Sequence, residues 1–399
     1  ILAMTGAGKS WTARRVIEQL AAKHYPIVIF DPHGDYTGLA DVPQLARKGQ
    51  VKRYFASIPV LEEDAETASN IVNNLGYAMS DTMRARFPEV FEAAQAFYVS
   101  DTAERNERSA WLAGLLNREQ IARYGMEPDL WLIAMMAEAG EILLRNDDGD
   151  GKRRLQDWGW PKLAGYSRTD IRTLEGIKKR AFQAAKVLQR MEQINRQIAK
   201  HAAPLPHDRR ELVTYDGISI VSLAGYTSDF QATIFAMVAE QIFDLRVRNE
   251  LPYPVFLVLE EAHTFAPAQA ATEAERRAMT VARQIAQEGR KFGVGLLLIS
   301  QRPSRLDETT LSQCNSFIIM RMVNPADQTF VRRVVETLGE EEARMLPDLD
   351  VGEALLSGQL IPFPPLIRVT PPTSKGEREE RDAFAELEDA HAQAIKGGR

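Results

Sequence analysis

Short continuous apolar runs recur in two parts of the chain, separated by stretches whose apolar positions return every three to four residues. The runs are "PIVIF" at 26–30, "ISIVSL" at 218–223, "VFLVL" at 255–259, "VGLLLI" at 294–299 and "FIIMR" at 317–321, with "VKRYFA" at 51–56 a shorter example. Apolar runs of this length without alternation predict strands buried on both faces. Helical periodicity covers 11–23, 229–249, 273–291 and 325–338. Strand alternating with helix predicts a mostly parallel sheet flanked by helices, an α/β fold.

From about 62 to 203 the strand-like runs vanish. "AETASNIVNNLGYAM", "SAWLAGLLNREQIARY" and "DLWLIAMMAEAGEILLR" carry only helical periods, so the region reads as an all-α insertion. "NDDGDG" at 146–151 reads as a solvated loop; the closing Glu of a calcium loop is absent. Residues 169–202 predict one long amphipathic helix bearing Lys178, Lys179, Arg180, Lys186 and Arg190. Those cations make either a solvated face or a DNA-contacting one. The expected organisation is 1–61 as the first part of the core, 62–203 as the insertion, 204–370 as the second part of the core, and 371–399 as a charged mobile tail with a marginal helix near 377–395.

Composition adjusts this picture modestly. The 399 residues are 45% hydrophobic and 26% charged, with net charge −6, so a nucleic-acid partner would have to be met by local patches or a ring interior. The single cysteine, Cys314, argues against disulfide and metal-cluster frameworks and fits a reducing cytoplasm. No run of about 18 apolar residues predicts a membrane span.

The chemistry begins at residue 3. "AMTGAGKS" follows the phosphate-loop pattern, with Ala3 in place of its first glycine. Gly6 and Gly8 let backbone N–H groups turn inward, Lys9 supplies a charge to the β- and γ-phosphates of ATP, and the Ser10 hydroxyl can hold Mg²⁺. Thr5, Gly6, Ala7, Gly8, Lys9, Ser10 and Trp11 are therefore the expected nucleotide contacts, with the following helix aiming its positive end at the anion. Hydrolysis also needs an acid for the metal and a group that positions water. "VFLVLEEAH" ends a strand on two adjacent acids, which should diverge: Glu260 toward the metal, Glu261 toward the attacking water as general base. Gln301, after the next strand, should lie at the same carboxyl edge and sense the γ-phosphate. Arg290 sits at the opposite edge and could reach a neighbouring subunit's nucleotide as a finger in trans, with Arg302 its rival. Asp31 and His33 of "DPHGDY" follow a strand at the ligand edge and are either structural or coupling residues. Asn324 and Asp327 look like a helix cap ahead of Pro325.

Together, "GAGKS", "IVIFDPHGDY", "LVLEEAHTFAP", "IAQEGRKFGVGLLLISQRPSRLDETTLSQCNSFIIMRM" and "GEALLSG" resemble the HerA branch of the HerA/FtsK ATPases, over about 1–60 and 210–370. The resemblance implies a RecA-like P-loop motor that forms a homo-hexameric ring, translocates on double-stranded DNA with ATP and Mg²⁺, and assembles with a partner nuclease such as NurA or another effector. Similar bacterial ATPases serve antiphage defence. Two other classes share the site chemistry: an ATP-gated ring scaffold for an effector enzyme, and a conjugation- or secretion-type ATPase. Two departures stand out. The family's Asp–Glu is Glu260–Glu261 here, and the N-terminal barrel is missing, with the first core strand reduced to Ile1 and Leu2. The chain is thus expected to be a fragment, or to lack its upstream part, and Lys9 to hang on an incompletely anchored loop.

Overall fold

The computed structural model describes residues 1–42, 45, 49–116, 130–199, 201–359, 361 and 363–374. It divides into two compact units, one formed by 1–56 with 195–399 and the other by 57–194.

The chain starts in the first unit with α1 (Lys9–Ala22), β1 (Ile27–Asp31) and β2 (Val51–Phe55). The second unit holds α2 (Ala65–Asn74), α3 (Asp81–Tyr98), α4 (Thr102–Leu116), α5 (Leu130–Asn146) and α6 (Gly149–Asp157), and α7 (Ile171–Ile198) leads back. The first unit then continues with β3 (Ala203–Pro204), β4 (Ile218–Ser222), α8 (Ser228–Val247), β5 (Val255–Leu259), α9 (Glu273–Phe292), β6 (Val294–Leu298) and α10 (Glu308–Ser312). It closes with β7 (Ser316–Met320), α11 (Pro325–Val334), α12 (Glu340–Met345), β8 (Glu353–Gly358) and β9 (Leu366–Arg368).

The first six strands make one sheet in the order β3-β2-β4-β1-β5-β6, and every pairing is parallel. β1 and β4 are buried along their whole length, which is why they read as unbroken apolar runs. The architecture is α/β, a parallel sheet flanked by helices, as the alternation of strand and helix predicts. Its register aligns Phe30 with Leu259 and Leu259 with Leu298, so the exits of β1, β5 and β6 arrive together at one edge.

The run 317–321 does not join the parallel sheet as its apolar character predicts: β7 pairs antiparallel with β8, and β8 with β9, in a second sheet of three strands. The polar, glycine-bounded "GEALLSG" of β8 lacks the β-branched signature of a buried strand, so its ladder could not be foreseen. The phosphate loop is firmly anchored. Leu2 bridges Ser300 and Ile319 in parallel fashion, its N–H donating to Ile318 O (2.9 Å) and its carbonyl accepting from Met320 N (2.8 Å). Ala3 N donates to Ser300 O (3.2 Å) and Met4 N to Arg321 O (2.9 Å). Ile1 and Leu2 thus act as strand residues slotted between the exit of β6 and β7.

Within the second unit, the stretch 146–151 is not an extended loop. Asp147 takes a left-handed φ of 51°, and Asp148 caps α6 by accepting from Gly151 N at 2.9 Å. Aspartate satisfies both a left-handed turn and an N-cap, so a run that looks like solvated loop is a tight helix–helix junction. α5 is buried over most of its circumference, and its buried Glu141 accepts from Arg145 Nε (2.9 Å) and Lys178 Nζ (2.6 Å). Of the α7 cations, Lys178 is therefore committed inward, Arg180 donates to Ala78 O (2.7 Å), and Lys186 lies 4.5 Å from the Phe182 ring centre. Lys179 and Arg190 are exposed.

The expected mobile tail is held at its start. Thr373 and Ser374 donate hydrogen bonds to Glu18, and the helix expected near 377–395 lies outside the described residues. Among the described residues no helix is long and apolar enough to cross a membrane.

Candidate active site

Gly6 and Gly8 adopt φ of +80° and +94°, a backbone that L side chains rarely take, and so turn the loop around the start of α1. No side chain caps α1 and no acid occupies its first turn, which leaves its positive end to an external anion. The cavity in front of this helix end has a volume of about 840 Å³, and Thr5, Gly6, Gly8, Lys9, Ser10 and Trp11 line it. Ala7 lies behind the loop, buried, with its carbonyl accepting from Gly352 N at 3.1 Å.

Glu261 and Gln301 line the same cavity from the neighbouring strand exits. Lys9 is 9% exposed, and its ammonium lies 2.8 Å from Glu260 Oε1 and 2.7 Å from Glu261 Oε1. The adjacent acids therefore converge on one cation, where divergence was expected. The cause is local. Glu261 leaves strand geometry for φ 50°, ψ 51°, which swings its side chain back beside that of Glu260. A non-glycine residue held there is the kind of strain that functional sites retain.

The two acids have different surroundings. Glu260 is 1% exposed and accepts from the Tyr36 hydroxyl through Oε2. Burial pushes its carboxyl up to about 7, against the pull of Lys9 and Tyr36. Burial would lower Lys9, but Glu260 and then Glu261 outweigh it and hold the ammonium above its ordinary value. These directions compete, since a protonated Glu260 gives up its attraction for Lys9. The consistent reading is a charged Lys9 with Glu260 as the member that titrates near neutrality. Glu261 Oε2 is buried without a hydrogen bond, and His263 Nδ1 stands 3.3 Å away. Burial lowers His263 most, opposed by Glu261 and aided by Arg302, Lys9 and Arg305. His263 Nδ1 is also 3.5 Å from Ser300 Oγ, which accepts from Arg302 N at 3.1 Å.

Gln301 Oε1 accepts from the Thr5 hydroxyl at 2.6 Å, tying the strand exit to the phosphate loop. The segment after it is fixed from both sides. Asp307 receives both Arg283 Nε (2.9 Å) and Nη2 (2.6 Å), and Asp327 accepts from Ser304 N at 3.0 Å. Asn324 caps α11 by accepting from Ala326 N, with Pro325 in its first turn as expected, whereas Asp327 serves the neighbouring turn instead. Arg302 is exposed beside this segment, and Arg290 lines a separate apolar cavity of about 510 Å³ at the opposite edge of the sheet. Neither arginine lines the cavity that holds Lys9.

Asp31 is fully buried and accepts from four consecutive N–H groups, those of His33, Gly34, Asp35 and Tyr36. It builds the turn that delivers Tyr36 to Glu260. Tyr36 is the site residue that the sequence did not disclose, because its partner lies 224 residues away. His263 was visible only as the residue after "EEA".

Residues 1–242 match the family model described as helicase HerA, central domain. The chain belongs to this family. A probable helicase of Methanocaldococcus jannaschii is 28% identical over 382 residues, which make up 92% of this chain and 65% of that protein. The DNA double-strand break repair helicase HerA of Pyrococcus furiosus is 47% identical over 119 residues, 30% of this chain and 21% of that HerA. The chain therefore spans less than two thirds of the length of either relative. Among solved structures, VirB4 of Thermoanaerobacter pseudethanolicus covers 93% of this chain and 87% of its own at 15% identity, with a TM-score of 0.49.

Proposed function

We propose that this HerA-family chain is an ATPase motor. It hydrolyses ATP with Mg²⁺, acts in the cytoplasm as a homo-hexameric ring that translocates double-stranded DNA, and drives a NurA-like nuclease or other effector in DNA end processing or antiphage defence. The observation that carries this reading is the meeting of Lys9, Glu260 and Glu261 beside an uncapped helix end, in a cavity that Ser10 and Gln301 also line. A phosphate-binding module alone has no need of two buried acids at that place.

The donor set fits a hard divalent cation: the Ser10 hydroxyl at the cavity wall and the Glu260 carboxylate behind Lys9. A metal held there would supply positive charge to offset the charge that develops on the phosphates. The chain's own residues do the rest. The loop amides and Lys9 bind phosphate, Glu261 takes the water proton, His263 beside its Oε2 orients the carboxylate, and Gln301 connects the site to β6. Arg290 or Arg302 completes the site of an adjacent subunit. Exposed Arg302 and Arg305 offer phosphate contacts to DNA.

Lys9→Ala and Glu261→Gln should each lower the ATP hydrolysis rate by about 10²-fold or more, the range for loss of a general base or a positioned charge. Glu261→Gln should still bind ATP, and duplex DNA should stimulate the unaltered protein. Hydrolysis by Glu261→Gln at the normal rate would remove Glu261 from its role, and a rate indifferent to DNA would favour the ATP-gated scaffold.

A further inference from the structure

The first unit gives up the chain to the helical insertion at Ala56, just after β2, and takes it back at Asn195, in the last turn of α7. Both residues are fully buried. Buried backbone that has left the sheet ladder needs other partners, and side chains supply them here. Ala56 N donates to Asn195 Oδ1 at 2.9 Å, and Ala56 O accepts from the Tyr226 hydroxyl at 2.9 Å. Asn195 Nδ2 donates to Ser222 O (3.0 Å) and Ala224 O (2.7 Å), with Ser222 Oγ 3.3 Å away. One asparagine thus engages its carbonyl and both of its N–H groups, knotting the outgoing strand, the returning helix and the exit of β4 together. Breaking any of these bonds leaves a buried polar group unsatisfied, so the knot moves as one piece.

The knot is bonded onward to the phosphate loop. β4 lies between β2 and β1, and the register sets Ser222 level with both Phe55 and Asp31. Between the two carbonyls that Asn195 holds stands Leu223, whose N–H donates to Asp31 O at 2.9 Å. Gln231 Nε2 of α8 donates to Leu223 O at 3.2 Å and fixes it from the other side. The Asp31 carboxylate sets the turn that ends at Tyr36, the Tyr36 hydroxyl donates to Glu260, and Glu260 pairs with Lys9. Every residue along this route is buried. Its far end has two arrangements. An ammonium carries three N–H donors, and Lys9 engages two acids with them; a phosphate entering the loop competes for the same ammonium, and the acids must yield.

We propose that Asn195 is a positioning residue through which the helical insertion and the nucleotide site regulate each other. A ligand of the insertion that shifts α7 moves 222–224, and with them Asp31 and the hold of Tyr36 on Glu260. Phosphate at Lys9 sends the same displacement outward to the root of the insertion, because coupling between two sites is reciprocal. The inference rests on the phosphate-loop reading of Lys9 and adds regulation to it.

Hydrogen–deuterium exchange of the full chain, read by mass spectrometry with and without a non-hydrolysable imido analogue of ATP and Mg²⁺, tests this without reference to turnover. In the unaltered protein the nucleotide should change exchange in the loop at 5–12, in the turn at 31–36, and in the root at 52–60 and 190–199. Asn195→Ser, too short to bridge its partners, should keep the response of the loop and the turn and lose that of the root. Asn195→Asp, which keeps the acceptor for Ala56 N and gives up the amide donors to β4, should lose it too. Tyr226→Phe removes one bond from the same knot but leaves the link to β4, and all three responses should remain. A root that is silent in the unaltered protein while the loop responds would overturn the proposal, and that comparison stands even if a variant fails to fold. A root that still responds in Asn195→Ser or Asn195→Asp would overturn it as well. So would equal loss in Tyr226→Phe, since the knot would then be support alone. If the nucleotide left the loop itself unchanged, the phosphate reading would fall and the proposal with it.

Discussion

At the scale of single residues, Lys9 and its two acids set the chemistry, and Glu260 makes their balance measurable. Its folded-state carboxyl holds a proton up to about pH 7, whereas an unfolded glutamate releases it near 4.5. Between these values the folded state binds more protons than the unfolded one. Glu260 therefore takes stability away as pH rises through that window, and its effect is constant above it. Glutamine keeps the acceptor for Tyr36 and cannot ionise. The melting temperature of the unaltered protein relative to Glu260→Gln should accordingly fall between pH 5 and pH 8. A constant difference across that range would mean that Glu260 is ionised throughout. The same residues show what a sequence can carry. Glycines, lysine, serine and paired acids announced the phosphate loop because their spacing is local. The convergence of the acids was hidden, since it depends on a single left-handed φ at Glu261, and glutamate gives no sign of such a conformation.

At the scale of elements, two helical glycines make opposite predictions. A Cβ on Gly289 in α9 would stand 2.4 Å from the Val294 carbonyl oxygen, backbone that cannot yield without moving the start of β6. Gly289→Ala should cost about 1–3 kcal/mol in chemical denaturation, as overpacking does. A Cβ on Gly176 in α7 would meet Met83 Cε at 2.0 Å, the end of a flexible side chain. Gly176→Ala should leave stability unchanged or raise it by up to about 1 kcal/mol through helix propensity. Should Gly289→Ala prove as stable as Gly176→Ala, the close approach of α9 to β6 is wrong. The elements of the parallel sheet were legible because buried strands and amphipathic helices have distinct periods. β8, β9 and the junction at 147–148 were not, because pairing partners and capping by aspartate lie outside periodicity.

At the scale of the whole molecule, the proposed ring makes a prediction about mixtures. Arg290 and Lys9 belong to separate cavities of one chain. If Arg290 completes an adjacent subunit's site, Arg290→Ala and Lys9→Ala are each inactive alone. Mixed rings then contain interfaces where an intact Lys9 meets an intact Arg290, and mixing should restore part of the DNA-stimulated hydrolysis. No recovery on mixing, with Arg302→Ala recovering in its place, would transfer the role to Arg302. Net charge and length bounded only the class of molecule, because surfaces that join chains leave no period in a single sequence.

The placement of Leu2 between Ser300 and Ile319 has a consequence for biosynthesis. A ribosome makes Leu2 roughly 300 residues before either of its neighbours, so the nucleotide loop cannot take its final shape until β7 has been made. Until β7 has left the exit tunnel, "ILAM" is an unpaired apolar stretch seeking another edge. Closure of the site is therefore a late step of folding, and chaperones that shield nascent hydrophobic segments should raise the yield of active protein.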